Sequence, residues 1–173
     1  MPSVSEKLGQ MAAQAAMVEG LVYGMESGGG YYNGYYVPDR NLMYTAQVLT
    51  QQLYPEFITS MREIAGGGLI MLPSSVKDFE NPEIARYIHA TQNSAVGTSE
   101  EKVKFMKLAW DAIGSEFASR HTQYEMFYAG AQFVTRGHAL RTYDWNRSKI
   151  LVDDILNSYN LEDMFEKKNV AAE

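Results

Sequence analysis

An all-α fold is what this sequence predicts, and three observations predict it. Apolar residues recur at spacings of four and three along several long stretches, glycine runs punctuate those stretches, and no two short alternating segments read as a convincing strand pair. The expected architecture is a four-helix bundle over about residues 3–160. It is read as a single helical domain across 1–173 without internal repeat, with the tail at 161–173 expected to be partly disordered.

The first helix is the clearest. Val4, Leu8, Met11, Ala15, Val18, Val22 and Met25 alternate spacings of four and three, the seam of a bundle or coiled coil. Ser3 or Ser5 can cap its start and Gly28-Gly29-Gly30 ends it. The segment GGGYYNGYYV at 28–37 then reads as a glycine- and tyrosine-rich loop, serving either as a connector with aromatic anchors or as a subunit contact.

A second long helix runs from Pro38 or Asp39 to Ala65, carrying Leu42, Ala46, Leu49, Leu53, Phe57, Met61 and Ile64, with a kink expected near Tyr54 because Pro55 lacks a donor. Gly66-Gly67-Gly68 stops it, and LIMLPSS reads as an extended loop. A shorter helix should start at Asn81, with Pro82 in its first position and Glu83 in its first turn.

Thr98 and Glu101 form a capping-box signature that opens the longest helix. Val103, Met106, Trp110, Ile113, Phe117, Tyr124 and Tyr128 lie along one face of it, and Gly130 sits where a C-cap belongs. A last helix, about Asn146 to Tyr159, has Ile150, Leu151, Ile155 and Leu156 on its apolar side.

Composition narrows the function classes. With 173 residues, 46% of them apolar and 21% charged, the chain matches a globular domain rather than a disordered one. It contains no cysteine, which excludes disulfides, thiolate metal sites and thiol nucleophiles. The net charge of −6, with Lys and Arg scattered, argues against nucleic-acid binding. No apolar run reaches bilayer length, and MPSVSEKLGQ lacks the order of a secretory signal, so a cytoplasmic location without membrane contact is expected.

Few residues nominate chemistry by themselves. His89, His121 and His138 form no HExxH or Glu-x-x-His pattern, and a metal on His121 and Glu125 would need two or three further ligands; a structural or interface histidine is the reading adopted. Glu100-Glu101 and Asp153-Asp154 are read as structural carboxylates, the first pair in a helix's first turn where negative charge is favoured. No nucleophile elbow, P-loop or GxGxxG run is present, so neither a catalytic residue nor a metal ligand is assigned.

The segment WDAIGSEFASRHTQYEMFYAG at 110–130 is different. Gly114 and Ser115 interrupt a helix interior, where small residues let another backbone or a flat ligand come close. Arg120, Gln123 and Tyr124 offer polar heads one turn apart, and Phe127-Tyr128-Ala129-Gly130 leaves the helix through small residues. This run resembles the C-terminal signature of the 4-hydroxyphenylacetate 3-hydroxylase family, with its Trp-Asp, Gly-Ser-Glu-Phe, Arg-His and Tyr-Glu-Met-Phe-Tyr-Ala-Gly series. The similarity extends over nearly the whole chain, which corresponds to the C-terminal part of a family member.

The resemblance implies the C-terminal four-helix bundle of an acyl-CoA dehydrogenase-like architecture, assembled as a tetramer. It implies an FAD cofactor, used as FADH2 supplied by a separate flavin reductase, in ortho-hydroxylation of phenols such as 4-hydroxyphenylacetate. It further implies that Phe127, Tyr128, Ala129 and Gly130 form the turn lent to flavin, with a plain helix C-cap as the alternative reading of the same residues. The chain would then be a domain or split subunit, inactive alone and in need of an N-terminal half. Two other readings remain open: a non-catalytic oligomerising module, and part of a 4-hydroxybutyryl-CoA dehydratase-like enzyme.

Overall fold

The helical pattern becomes seven α-helices in a computed structural model that describes residues 2–159. The expected tail at 161–173 lies outside the described residues. In order, the elements are α1 (Pro2–Ser27), β1 (Gly30–Tyr32), β2 (Tyr35–Val37), α2 (Arg40–Ala65), α3 (Pro82–Thr91), α4 (Ser99–Ile113), α5 (Glu116–Phe127), α6 (Gln132–Thr142) and α7 (Trp145–Asn157).

The fold is all-α, organised about α2. Helix α1 runs antiparallel along it: Lys7 pairs with Glu63, Gln10 and Gln14 donate to Glu56 at 2.6 and 3.1 Å, and Gly24 faces Leu42. Helices α5 and α6 pack on the same axis and complete the four-helix bundle. The apolar core sits where α2 meets α4: Ile58, Leu69 and Ile113 are buried together, with Tyr54, Met61, Met106 and Ala109 around them. Arg62 reaches across from α2 and donates through Nε (3.0 Å) and Nη2 to the carbonyl of Ile113, satisfying the end of α4.

Several predicted local signals are present. Asn81 accepts from the amides of Glu83 and Ile84, and Thr98 and Glu101 exchange both capping-box hydrogen bonds, at 3.2 and 2.8 Å. The α2 helix continues through Pro55 to Ala65.

Four readings change. First, the glycine–tyrosine loop is a β-hairpin, with Tyr31 opposite Tyr36 and Tyr32 opposite Tyr35. Asn33 and Gly34 both take positive φ (49° and 83°), as a two-residue turn matching the twist of the strands requires. Second, Leu69 at the head of LIMLPSS closes a 3-10 turn over Gly66–Leu69 that buries it, and another 3-10 turn follows at Val76–Phe79; the stretch between them is an irregular loop.

Third, the expected longest helix is two. Gly114 closes α4 and Ser115 caps α5 by accepting from Ala118 at 3.1 Å. The Trp110 indole lies over Gly114 so closely that a Cβ there would come within 2.5 Å of the ring. The apolar face therefore does not continue: Val103 and Ile113 are buried, whereas Phe117, Tyr124 and Tyr128 are exposed. Fourth, a helix with no sequence signal, α6, packs on α2, whereas the last helix does not bury its apolar side. Helix α7 stands off with Ile150, Leu151, Val152, Ile155 and Leu156 all exposed.

Candidate functional site

The turn between α5 and α6 draws its shape from both sequence and packing. Helix α5 ends at Phe127, Tyr128 follows as its C-cap, and Gly130 turns the chain with φ +116° while its N–H bonds to the carbonyl of Phe127 at 2.9 Å. Only glycine takes that conformation without strain. The chain then enters α6 at Gln132.

The start of α6 is unusual for this protein. Helices α2, α3, α4, α5 and α7 each begin on a side chain that accepts a backbone amide: Asp39, Asn81, Thr98, Ser115 and Asp144. Helix α6 begins on Ala131, which has no side chain to do so, leaving the first amides of α6 without a side-chain cap. Uncapped amides at a helix start, reached through Gly130, match the requirements of an anion such as a diphosphate.

Beneath the turn lies a buried polar contact. Gln51, 2% exposed, sends both Nε2 protons into the turn, one to the carbonyl of Met126 (3.0 Å) and one to that of Gly130 (2.7 Å). Its Oε1 accepts from the hydroxyl of Thr135 at 2.9 Å, and Thr135 is fully buried. Sequence reading missed both residues, because apolar periodicity marks only the greasy side of a helix, and neither belongs to it.

One face of α5 carries an exposed aromatic ladder. The rings of Phe117, His121, Tyr124 and Tyr128 follow one another at 5.9, 6.2 and 5.3 Å with interplanar angles of 7°, 15° and 14°. His121 also meets Tyr54 of α2 edge-on and lies 3.4 Å from Glu125. Burial and then the Glu125 carboxylate push the Tyr54 phenol above its ordinary value. Arg120, Gln123 and Tyr124 line one open groove with Phe117, His121 and Phe127. Phe127 thus belongs to both groove and turn.

The remaining histidines lie apart. His138 stacks on Tyr44 at 4.7 Å, and His89 packs against Phe79, 3.8 Å from Glu100. Glu100 is held below the usual carboxylate range by its own backbone N–H and by the Thr98 hydroxyl. Among the described residues no helix is long and apolar enough to cross a membrane.

Residues 1–157 match the family model described as 4-hydroxyphenylacetate 3-hydroxylase C terminal. The chain belongs to the 4-hydroxyphenylacetate 3-hydroxylase family. A curated relative, the 4-hydroxyphenylacetate 3-monooxygenase oxygenase component of Pseudomonas aeruginosa, is 39% identical over 112 residues, which is 64% of this chain and 22% of that protein. The chain therefore spans about a fifth of that relative's length.

Among solved structures, the oxygenase component of 4-hydroxyphenylacetate 3-monooxygenase complexed with FAD superposes with a TM-score of 0.84 at 27% identity, covering 90% of this chain and 33% of that one. An archaeal 4-hydroxybutyryl-CoA dehydratase from N. maritimus shares the fold at a TM-score of 0.80 and 20% identity, covering 92% of this chain and 32% of its own. The family's helical C-terminal part is thus the fold found here.

Proposed function

We propose that this chain is the C-terminal helical domain, or a split subunit, of a two-component FADH2-dependent monooxygenase that ortho-hydroxylates phenols such as 4-hydroxyphenylacetate. It contributes subunit association and one turn of the flavin site, and it acts as a single helical domain. The observation that carries the reading is the family match over residues 1–157, joined to a turn whose chemistry suits the cofactor.

The residues present fit FAD at that turn. The amides of Gln132 and Phe133, at the uncapped start of α6, would receive a diphosphate oxygen, and Gly130 keeps side-chain bulk away from it. Phe127 and Tyr128, both about half exposed, would lie over the cofactor and exclude water from it. FADH2, when bound, supplies the electrons that activate oxygen for the hydroxylation. The chain's own part is to bind, orient and shield, and phenol recognition falls to segments beyond the stretch of the family that this chain matches. A separate reductase would supply the reduced flavin.

A second reading, a non-catalytic oligomerising module, has one observation in its favour: the apolar face of α7 lies exposed. Reconstitution separates the two. The full chain, co-expressed with the N-terminal remainder of a family oxygenase component, should convert 4-hydroxyphenylacetate to its catechol when FADH2 and oxygen are supplied. Failure to turn over any phenol, with no FAD bound, would leave the module reading. FAD-dependent dehydration of a 4-hydroxyacyl thioester would move the chain to the dehydratase branch.

A further inference from the structure

We infer that Gln51 and Thr135 are positioning residues for the flavin, holding the α5–α6 turn in the one conformation that presents the α6 amides. The inference rests on the proposed flavin role of that turn. Three points of the turn region are tied through this pair: the carbonyl of Met126 in the last turn of α5, the carbonyl of Gly130, and Thr135 in α6, whose hydroxyl gives its one proton to Gln51 Oε1. All are referred to Gln51, in the middle of α2, the helix on which α1, α5 and α6 pack. The residues joined are 75, 79 and 84 positions apart in sequence.

Chemistry makes the arrangement specific. A primary amide has two donors and an acceptor, and here both donors and the acceptor are used away from water, where a polar group left alone is costly. Gly130 makes the turn deformable, since glycine samples both signs of φ with ease. Holding its carbonyl removes that freedom. The amides that would meet the diphosphate are then fixed before binding rather than ordered by it, which strengthens binding without adding a contact.

The test compares Thr135→Val, which keeps shape and removes the hydroxyl, with Thr135→Ser, which keeps the hydroxyl. Gly130→Ala serves as the control on the turn itself. FAD is titrated, by quenching of its fluorescence, into the full chain alone and with the co-expressed N-terminal remainder of a family oxygenase component, at a temperature where each variant is folded. Hydrogen exchange at residues 126–135 is read alongside.

Wild type and Thr135→Ser should bind alike, whereas Thr135→Val should bind about tenfold more weakly, as one buried hydrogen bond is worth. Exchange in Thr135→Val should quicken in the turn and not in α1. If Thr135→Val binds FAD like wild type while Gly130→Ala binds weakly, the inference is overturned and the turn keeps its role. If both bind like wild type, or if wild type binds no FAD in either setting, the flavin reading of the turn fails and takes the inference with it. Thr135→Ala, which removes the same hydroxyl, replaces Thr135→Val should that variant not fold.

Discussion

The hydroxyl of Thr135 and the side-chain amide of Gln51, 84 positions apart, meet at 2.9 Å in a place where neither residue is more than 2% exposed. They are among the best-buried side chains of the described bundle, ahead of most of its apolar residues. A polar pair therefore fixes how α6 docks on α2.

That pair predicts a coupled loss of stability. Thr135→Val leaves the Gln51 Oε1 without its donor and should cost about 1–3 kcal/mol in urea unfolding. Gln51→Leu strands two carbonyls and should cost a similar amount. The double variant should lose clearly less than the two single losses combined, because they share one network. Strict additivity would mean that the contact carries no energy.

Gly114 should tolerate no side chain. A Cβ there would meet the Trp110 ring at 2.5 Å, so Gly114→Ala should destabilise by about 1–3 kcal/mol, as overpacking does. In a Trp110→Ala background the same change should become nearly neutral. An equal loss in both backgrounds, by thermal or urea unfolding, would show that the backbone and not the indole requires glycine.

Tyr54 should titrate late. Burial first, and the Glu125 carboxylate second, raise its phenol above the ordinary value of 10.0. The folded chain thus holds that proton longer than the unfolded chain. The resulting stabilisation is complete below pH 10 and is lost as pH rises through the higher folded value. The ultraviolet tyrosinate difference between wild type and Tyr54→Phe should show a phenol ionising above pH 10, shifted down by Glu125→Gln. A difference curve centred at or below 10 would be inconsistent with the packing of Tyr54.

Self-association should depend on α7. Ile150, Leu151, Ile155 and Leu156 are each about half exposed or more. The chain should sediment as an oligomer, and Leu151→Glu should shift it toward monomer. A wild-type monomer at high concentration would remove subunit association from the proposed role.

Much of this was legible in the sequence, for reasons that individual residues make clear. Asn81 and the Thr98–Glu101 pair announced helix starts because capping is local chemistry written in adjacent residues. The hairpin was equally local: Asn33-Gly34 between tyrosine pairs is a turn signal, but the abundance of glycine masked it as a loop. Helix α6 was not legible. It has no capping side chain, carries Gly137 in its interior, and turns a threonine rather than an apolar residue into the core. Gln51 was hidden for the same reason, since its partners lie more than seventy positions away. The positions Phe127 to Gly130 came from a resemblance, and the geometry adds what the resemblance could not: an uncapped α6 and the buried contact beneath it.

Whether the α5–α6 turn contributes to a flavin site is read by hydrogen–deuterium exchange of the full chain, assembled with the N-terminal remainder of a family oxygenase component, with and without FAD. FAD should slow exchange at residues 127–133 while leaving the β1–β2 hairpin unchanged. FAD bound with exchange at 127–133 unaltered would contradict that contribution.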